Sequence, residues 1–389
     1  MSDLSRLSRE AVEAPESGIV AVMTYARGRE GLIPLWAGEG DLSTPAFISE
    51  AAAASLAAGE TFYTWQRGIP ELRQALATYT ERLYDRPTAP ERFFVTGSGM
   101  QAIQLAIACV ASAGDEVVYL GPAWPNFAAA VNVKGAVARE VSLDFTEAGW
   151  RLDLQKLADA MGPRTRALFI NTPSNPTGWT ANEGELRAIL DLARANGISV
   201  IADEIYNRFH YAGGRAPSFH DVMDEADSIF FVNSFSKNWA MTGWRIGWIE
   251  TSPAYGDVLE NLIQYSTSGV ATFMQRAAVA ALQDGESFVA SQVERAAKAR
   301  DIFTDRLLAT NRVSMTRPDG AFYAFFAVDG ISDTRAAAFR LVDEALVGLA
   351  PGTAFGPAGT HFLRACFHRR LDEVEIAADR IADWIGRSA

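Results

Sequence analysis

From about residue 92 to 250 the chain alternates short apolar runs with longer stretches of helical spacing. Runs at 92–96, 116–120, 165–171, 198–203, 229–234 and 245–250 read as strands. Stretches at 99–112, 124–133 and 183–196 read as helices; the last opens near Ala181 or Asn182 and closes at Gly197. An alanine-rich helix is expected over 46–59, with Gly59 as its stop. Strands that are apolar on both faces and separated by helices predict a mostly parallel, buried sheet. After about 270 the rhythm changes: helices at 272–283 and 287–310, strands at 313–316 and 321–328, a helix at 334–347, a strand at 361–367 and a last helix at 372–387. The stretch before about 35 reads as an arm with one short helix.

The fold class that follows is α/β: a large domain built on a mostly parallel sheet flanked by helices, plus a smaller α+β domain. The boundaries read as an arm at 1–40 joining the small domain, a large domain at 41–285 and a small C-terminal domain at 286–389. No glycine–serine linker separates these parts, so tight packing is expected.

Composition adds exclusions. With 389 residues, 49% of them apolar and 21% charged, the chain is ordinary globular material and not a disordered, collagen-like or coiled-coil one. A net charge of −12 disfavours nucleic acid and anionic membrane as partners. Cys109 and Cys366 make neither a disulfide framework nor a zinc site. The first residues are polar with no apolar core, and the longest apolar runs are about half a membrane span, so no leader or membrane segment is expected and the location is expected to be cytoplasmic. The four histidines, His210, His220, His361 and His368, show no ligand spacing, and no metal is expected.

Lysine is scarce: Lys134, Lys156, Lys237 and Lys298 are all there are. Lys134 precedes Gly135 in a turn, and Lys156 and Lys298 stand on helices among charged neighbours, so all three read as solvated. Lys237 follows a buried strand in SFSKNW, where it is either a structural lysine or, in a desolvated pocket, an amine able to form an imine. Asp203 ends the strand before DEIY and is either a cap or a carboxylate held against a cationic ring nitrogen. NTPSNPTG (171–178) reads first as a turn whose asparagine can also donate to a ligand. GSGM (97–100) joins a strand to a helix start of the kind that binds phosphate through backbone N–H groups. Trp124 lies just beyond a strand, where it packs in the core or rim or covers a ring.

In order and spacing together, GSG, AWPN, NTPSNPTG, DEIY, SFSKNW with Arg245 eight residues after the lysine, and a late FLRACF resemble the class I pyridoxal-phosphate-dependent aminotransferases, the aspartate aminotransferase superfamily of fold type I. The resemblance runs from GEGDLSTP to the C-terminal helix. It implies an internal aldimine between pyridoxal 5′-phosphate and Lys237, with Asp203 on the pyridinium nitrogen and Tyr206 and Asn175 on the ring 3-oxygen. It implies Trp124 stacked on the ring, and the phosphate held by Gly99 and Met100 N–H groups, Ser234, Ser236 and Arg245. Tyr63 is implied to reach the phosphate of a neighbouring subunit, which makes a homodimer with active sites at the interface. Gly38, Asn175 and Arg364 are implied to bind the substrate, Arg364 through its α-carboxylate. Catalysis is thereby assigned to Lys237, Asp203 and Tyr206, in a transamination of amino-acid metabolism or biosynthesis between an L-amino acid and a 2-oxo acid.

Met100 departs from the resembled pattern, since aspartate-using relatives often carry lysine there; an acidic donor then needs another partner, such as Arg67. Trp65, Phe322 and Tyr323 suggest room for an apolar side chain. ACFHRRLDE after Arg364 departs as well. The alternatives are a C–S β-lyase or related lyase on the same scaffold, and a non-catalytic ligand sensor.

Overall fold

The computed structural model describes residues 4–387. Its largest sheet contains seven strands: β1 (Phe93–Thr96), β2 (Glu116–Gly121), β3 (Val137–Ser142), β4 (Thr165–Asn171), β5 (Ser199–Asp203), β6 (Ile229–Ser234) and β7 (Gly247–Glu250). They lie in the order β1-β7-β6-β5-β4-β2-β3. Neighbours are parallel except at β7, which runs antiparallel to both β1 and β6. All residues of β1, β2, β5 (save Ser199), β6 and β7 are buried, as continuous apolar runs covered on both faces require. Core clusters lie on either side: Phe94, Ile103, Phe127, Phe169 and Ile201 belong to one, and Leu168, Ile170, Leu186, Ile189 and Phe231 to another.

β3 was not anticipated. It is the sheet's edge, where Val137 stays 44% exposed and Arg139 and Glu140 interrupt the apolar pattern. The helix Pro70–Tyr84 was missed too; its buried stripe mixes Leu72 and Leu76 with Ala77, Tyr79 and Thr80, which dilutes the periodic signal. The helix expected at 183–196 is Glu183–Asn196, closed at its start by a reciprocal pair in which Glu185 N donates to Asn182 Oδ1 (3.0 Å) and Asn182 N donates to Glu185 Oε2 (2.9 Å).

The later part forms an antiparallel sheet of β8 (Val313–Ser314), β9 (Tyr323–Val328), β10 (Ala350–Pro351) and β11 (Leu363–Cys366), in the order β8-β9-β11-β10. Helices Glu286–Leu308 and Leu371–Arg387 pack on each other. The expected arm contains two α-helices, Arg9–Val12 and Gly18–Tyr25, rather than one. It ends in Ile33–Pro34, which pairs in parallel with Val347–Gly348. The chain from Leu35 onward is thereby carried alongside β11, where Cys366 N donates to Leu35 O at 2.8 Å.

Candidate active site

The carboxyl ends of the parallel strands converge because their registers are level: Asn171 of β4 lies opposite Asp203 of β5, and Asp203 lies opposite Val232 of β6. Ligands in such sheets bind outside these ends. Antiparallel β7 starts where its neighbours stop, so Gly247 pairs with both Ser234 and Thr96 and brings Arg245 to the same edge. A side chain at Gly247 has no room: its Cβ would lie 2.6 Å from Asn233 O and 2.9 Å from Gly99 N. That close approach seats the start of the helix Gly99–Val110 directly over β6 and β7.

A cavity of about 500 Å³ opens there. Every residue assigned to the site from sequence lines it except Tyr63: Gly38, Gly99, Met100, Trp124, Asn175, Asp203, Tyr206, Ser234, Ser236, Lys237, Arg245 and Arg364. Tyr63 is 95% exposed on a surface loop.

Lys237 stands on the short helix Phe235–Asn238. Its Nζ donates to Gly38 O at 2.7 Å. Burial lowers its pKa from the ordinary 10.5 to about 8. Arg364 and Arg245 push the same way, against opposing effects of Cys366 and Glu39. Lys134, Lys156 and Lys298 have other settings: Lys134 ends a helix beside Gly135, Lys156 pairs with Asp144 (2.6 Å) and Lys298 with Glu294 (2.7 Å).

Asp203 is buried, and its carboxylate accepts only a long bond from Ile205 N (3.3 Å). Burial pushes its pKa up to about 7, resisted by that bond and by Lys237. Arg364 is 1% exposed, on a strand flanked by β9 and β10. It donates through Nη1 to Asn175 Oδ1 (3.0 Å) and through Nη2 to Trp36 O, it lies over the rings of Tyr323 and Phe355, and its Nε has no partner. Among the described residues neither Asp203 nor Arg364 forms an ion pair. A buried carboxylate and a buried guanidinium in that condition call for a cation and an anion from outside the chain.

Tyr206 shares its hydroxyl with that of Tyr323 at 2.7 Å, and burial raises both phenols. Tyr323 was noted only as an apolar neighbour; its hydroxyl role has no spacing signal, because Tyr323 and Tyr206 lie 117 positions apart. Gly38 is required where Tyr323 comes close, since a Cβ there would lie 2.3 Å from the phenolic oxygen. At the helix start, Ser98 Oγ accepts from Gln101 N (3.0 Å), leaving the Gly99 and Met100 N–H groups at the open end. Ser234 Oγ accepts from Ser236 N (3.1 Å) and is bonded to Ser236 Oγ (2.8 Å), so much of its capacity is spent on capping its own short helix. Arg245 keeps Nη1 on Thr242 O (2.7 Å) and is otherwise exposed.

Three suggested side-chain contacts are absent. Phe322 is buried outside the cavity. Arg67 pairs with Asp257 (2.7 Å) and Glu260 (2.6 Å) and does not line the cavity, and Trp65 is 70% exposed outside it. Instead, Ile19 and Val20 of the arm helix and Trp36 reach the lining, contributions that no motif announced.

The sequence profile described as aminotransferase class I and II matches residues 30–381. A probable aspartate/prephenate aminotransferase of Aquifex aeolicus is 35% identical over 86% of each chain. Aromatic-amino-acid aminotransferase 2 of Thermococcus litoralis is 32% identical over 94% of each chain. The crystal structure of aspartate aminotransferase from Thermus thermophilus with maleate superposes with a TM-score of 0.90 at 34% identity, covering 97% of this chain and 99% of that one.

Proposed function

The chain belongs to the aminotransferase class I and II family and is a pyridoxal-phosphate-dependent transaminase acting on amino and 2-oxo acids; from that premise we propose how its own residues hold the cofactor and handle the proton. The observation that carries the reading is the pair of uncompensated buried charges, Asp203 and Arg364, in the cavity that also holds a lysine of lowered pKa. The donor set fits the cofactor. Asp203 is the partner for a protonated ring nitrogen and Lys237 for the aldehyde. The Gly99 and Met100 N–H groups, Ser236, Ser234 and Arg245 are the partners for the phosphate, aided by the positive end of the Gly99–Val110 helix. When bound, pyridoxal phosphate supplies an electron sink conjugated to the reacting Cα.

The chain's own groups do the rest. Arg364 takes the substrate α-carboxylate, which gives the buried guanidinium its anion and holds the substrate in one orientation. Asn175 Oδ1 is occupied by Arg364, so its amide N–H₂ faces the ligands; this supports its place between cofactor and substrate. Tyr206, backed by Tyr323, would donate to the ring oxygen, and Trp124 would cover the ring face. Lys237 Nζ would take the proton from the Cα of the amino-acid donor and, in the reverse half-reaction, deliver one to the Cα of the 2-oxo-acid acceptor, a task suited to an amine with a pKa near 8.

The donor side chain is assigned to the lining made by Met100, Trp36, Ile19 and Val20. The cavity's cations are Lys237, Arg245 and Arg364, each already given a role, and Arg67 is held elsewhere. This supports an apolar or aromatic donor over aspartate. The lyase alternative gains no support from relatives named as aminotransferases. The test is a screen of the standard amino acids against 2-oxoglutarate and pyruvate: turnover with leucine or phenylalanine is expected to exceed that with aspartate, and the reverse ranking removes the apolar assignment. Pyruvate and ammonia formed from cystathionine without any 2-oxo acid would favour the lyase.

The same reading extends to assembly. Phe62, Tyr63, Trp65 and Tyr265 are all strongly exposed, which supports burial against a second copy, with Tyr63 reaching the partner's phosphate. The division into an arm (1–40), a large domain (41–285) and a small domain (286–389) is supported by the pairing of Ile33–Pro34 with Val347–Gly348. A cytoplasmic location agrees with the free thiols Cys109 and Cys366. No helix among the described residues is long and apolar enough to cross a membrane.

A further inference from the structure

His368 lies four residues beyond Arg364 and takes no part in the roles given above. It is 2% exposed, with its ring stacked on Phe322 (centroids 5.0 Å apart) and edge-on to Phe209 (5.2 Å). Its Nε2 lies 3.1 Å from Gln292 Oε1, and Gln292, itself 1% exposed, donates through Nε2 to Asn238 O at 2.7 Å. A carbonyl only accepts, so the Gln292 amide must turn its N–H₂ to Asn238 and its oxygen to His368. His368 therefore donates through Nε2 and leaves Nδ1 bare, and Nδ1 is one of the buried atoms without a partner. Burial lowers the pKa of the ring to about 3, in keeping with a neutral imidazole.

Asn238 follows Lys237 and ends the helix Phe235–Asn238, which is too short to hold its own shape. The His368 ring also fills the space against the segment that receives the lysine amine: a Cβ at Gly40 would lie 2.7 Å from His368 Cδ2, and Gly38 O accepts Lys237 Nζ. His368, Gln292 and Lys237 line one small chamber of about 20 Å³.

We propose that His368 is a positioning residue, which through Gln292 and Asn238 fixes the Lys237 helix relative to the strand carrying Arg364. The inference rests on the role proposed above for Lys237. Because the strut is a neutral hydrogen-bonded chain, it acts at constant strength across the working pH range and adds no cation beside the lysine.

The test uses the holoenzyme and the variants His368→Phe, His368→Gln and the double variant His368→Phe/Gln292→Met. Phenylalanine keeps the ring stacking but strands the Gln292 oxygen; the double variant removes that oxygen and the tie together, leaving the Asn238 carbonyl without its donor. Expected for the double variant is a folded holoenzyme with a modestly lowered thermal midpoint, kcat lower by roughly 10- to 100-fold with KM for the donor little changed, and a shifted pH for the spectral change of the bound cofactor's visible band. His368→Gln, which retains an N–H donor, should recover part of kcat. A double variant with parental kcat and an unshifted spectral titration reduces His368 to packing and overturns the proposal. An inactive parent would instead overturn the reading of Lys237. If His368→Phe fails to fold, His368→Gln decides on the same measurements: its kcat and titration must lie between the parent's and the double variant's.

Discussion

Asp203 and Lys237 are moved from their ordinary protonation by one cause, burial that outweighs the opposing charges nearby, Lys237 for Asp203 and Cys366 and Glu39 for Lys237. For Asp203 the folded pKa is near 7 against an ordinary 3.8, so ionisation costs stability. The cost grows between those values, is full above about pH 7 and is gone below 3.8, where folded and unfolded chains both hold the proton. In the cofactor-free chain, Asp203→Asn is therefore expected to raise the thermal midpoint at pH 8, by a margin that shrinks toward pH 5, while the holoenzyme loses activity. A midpoint at pH 8 equal to or below the parent's contradicts the account of this carboxylate. Arg364→Ala should raise the donor KM, with a loss of about 2–5 kcal/mol in transition-state binding from the broken carboxylate pair; an unchanged KM for every donor takes Arg364 out of the site. Asp203 and Lys237 could be read from sequence because they sit at or just beyond strand ends, and Arg364 because it stands in the short motif FLRACF, all within recognisable local patterns. The hydroxyl contact of Tyr323 and the approach of Ile19, Val20 and His368 could not, since these depend on contacts made across the whole chain.

The elements that deliver these residues are short and depend on their ends. The strands β2, β4, β5 and β6 were readable as apolar runs because both of their faces are covered. β3 and the helix Pro70–Tyr84 were not, one being a half-exposed edge and the other carrying a diluted stripe. The helix Glu183–Asn196 was readable from its spacing and from Gly197 after it, with the start left between Ala181 and Asn182; the structure places the cap at Asn182, where Asn182 and Glu185 satisfy each other's N–H groups. Asn182→Ala should cost about 1 kcal/mol of stability in denaturant unfolding and leave kcat unchanged. A neutral effect on stability would mean that the tertiary packing of Leu186, Ile189 and Leu190 holds the helix without its cap.

At the scale of the molecule, the proposed site is built from three regions: the arm, the ends of the seven-stranded sheet and the strand β11. An overall charge of −12 conceals three cations lining one cavity, Lys237, Arg245 and Arg364, of which the proposed roles give Arg245 and Arg364 one anionic ligand group each. The exposed aromatic loop with Phe62, Tyr63 and Trp65 extends the argument to a second copy. Trp65→Asp is expected to shift the sedimenting species from dimer to monomer and to abolish turnover; a fully active monomer contradicts a site completed across the interface.

All of these roles presuppose that Lys237, out of Lys134, Lys156, Lys237 and Lys298, is the amine joined to the cofactor. Borohydride reduction of the holoenzyme, followed by digestion and mass mapping of the lysine peptides, tests that directly. The account predicts a reduced pyridoxyl group on Lys237 and on no other lysine. A label on Lys134, Lys156 or Lys298, or no label on a catalytically active preparation, would contradict it.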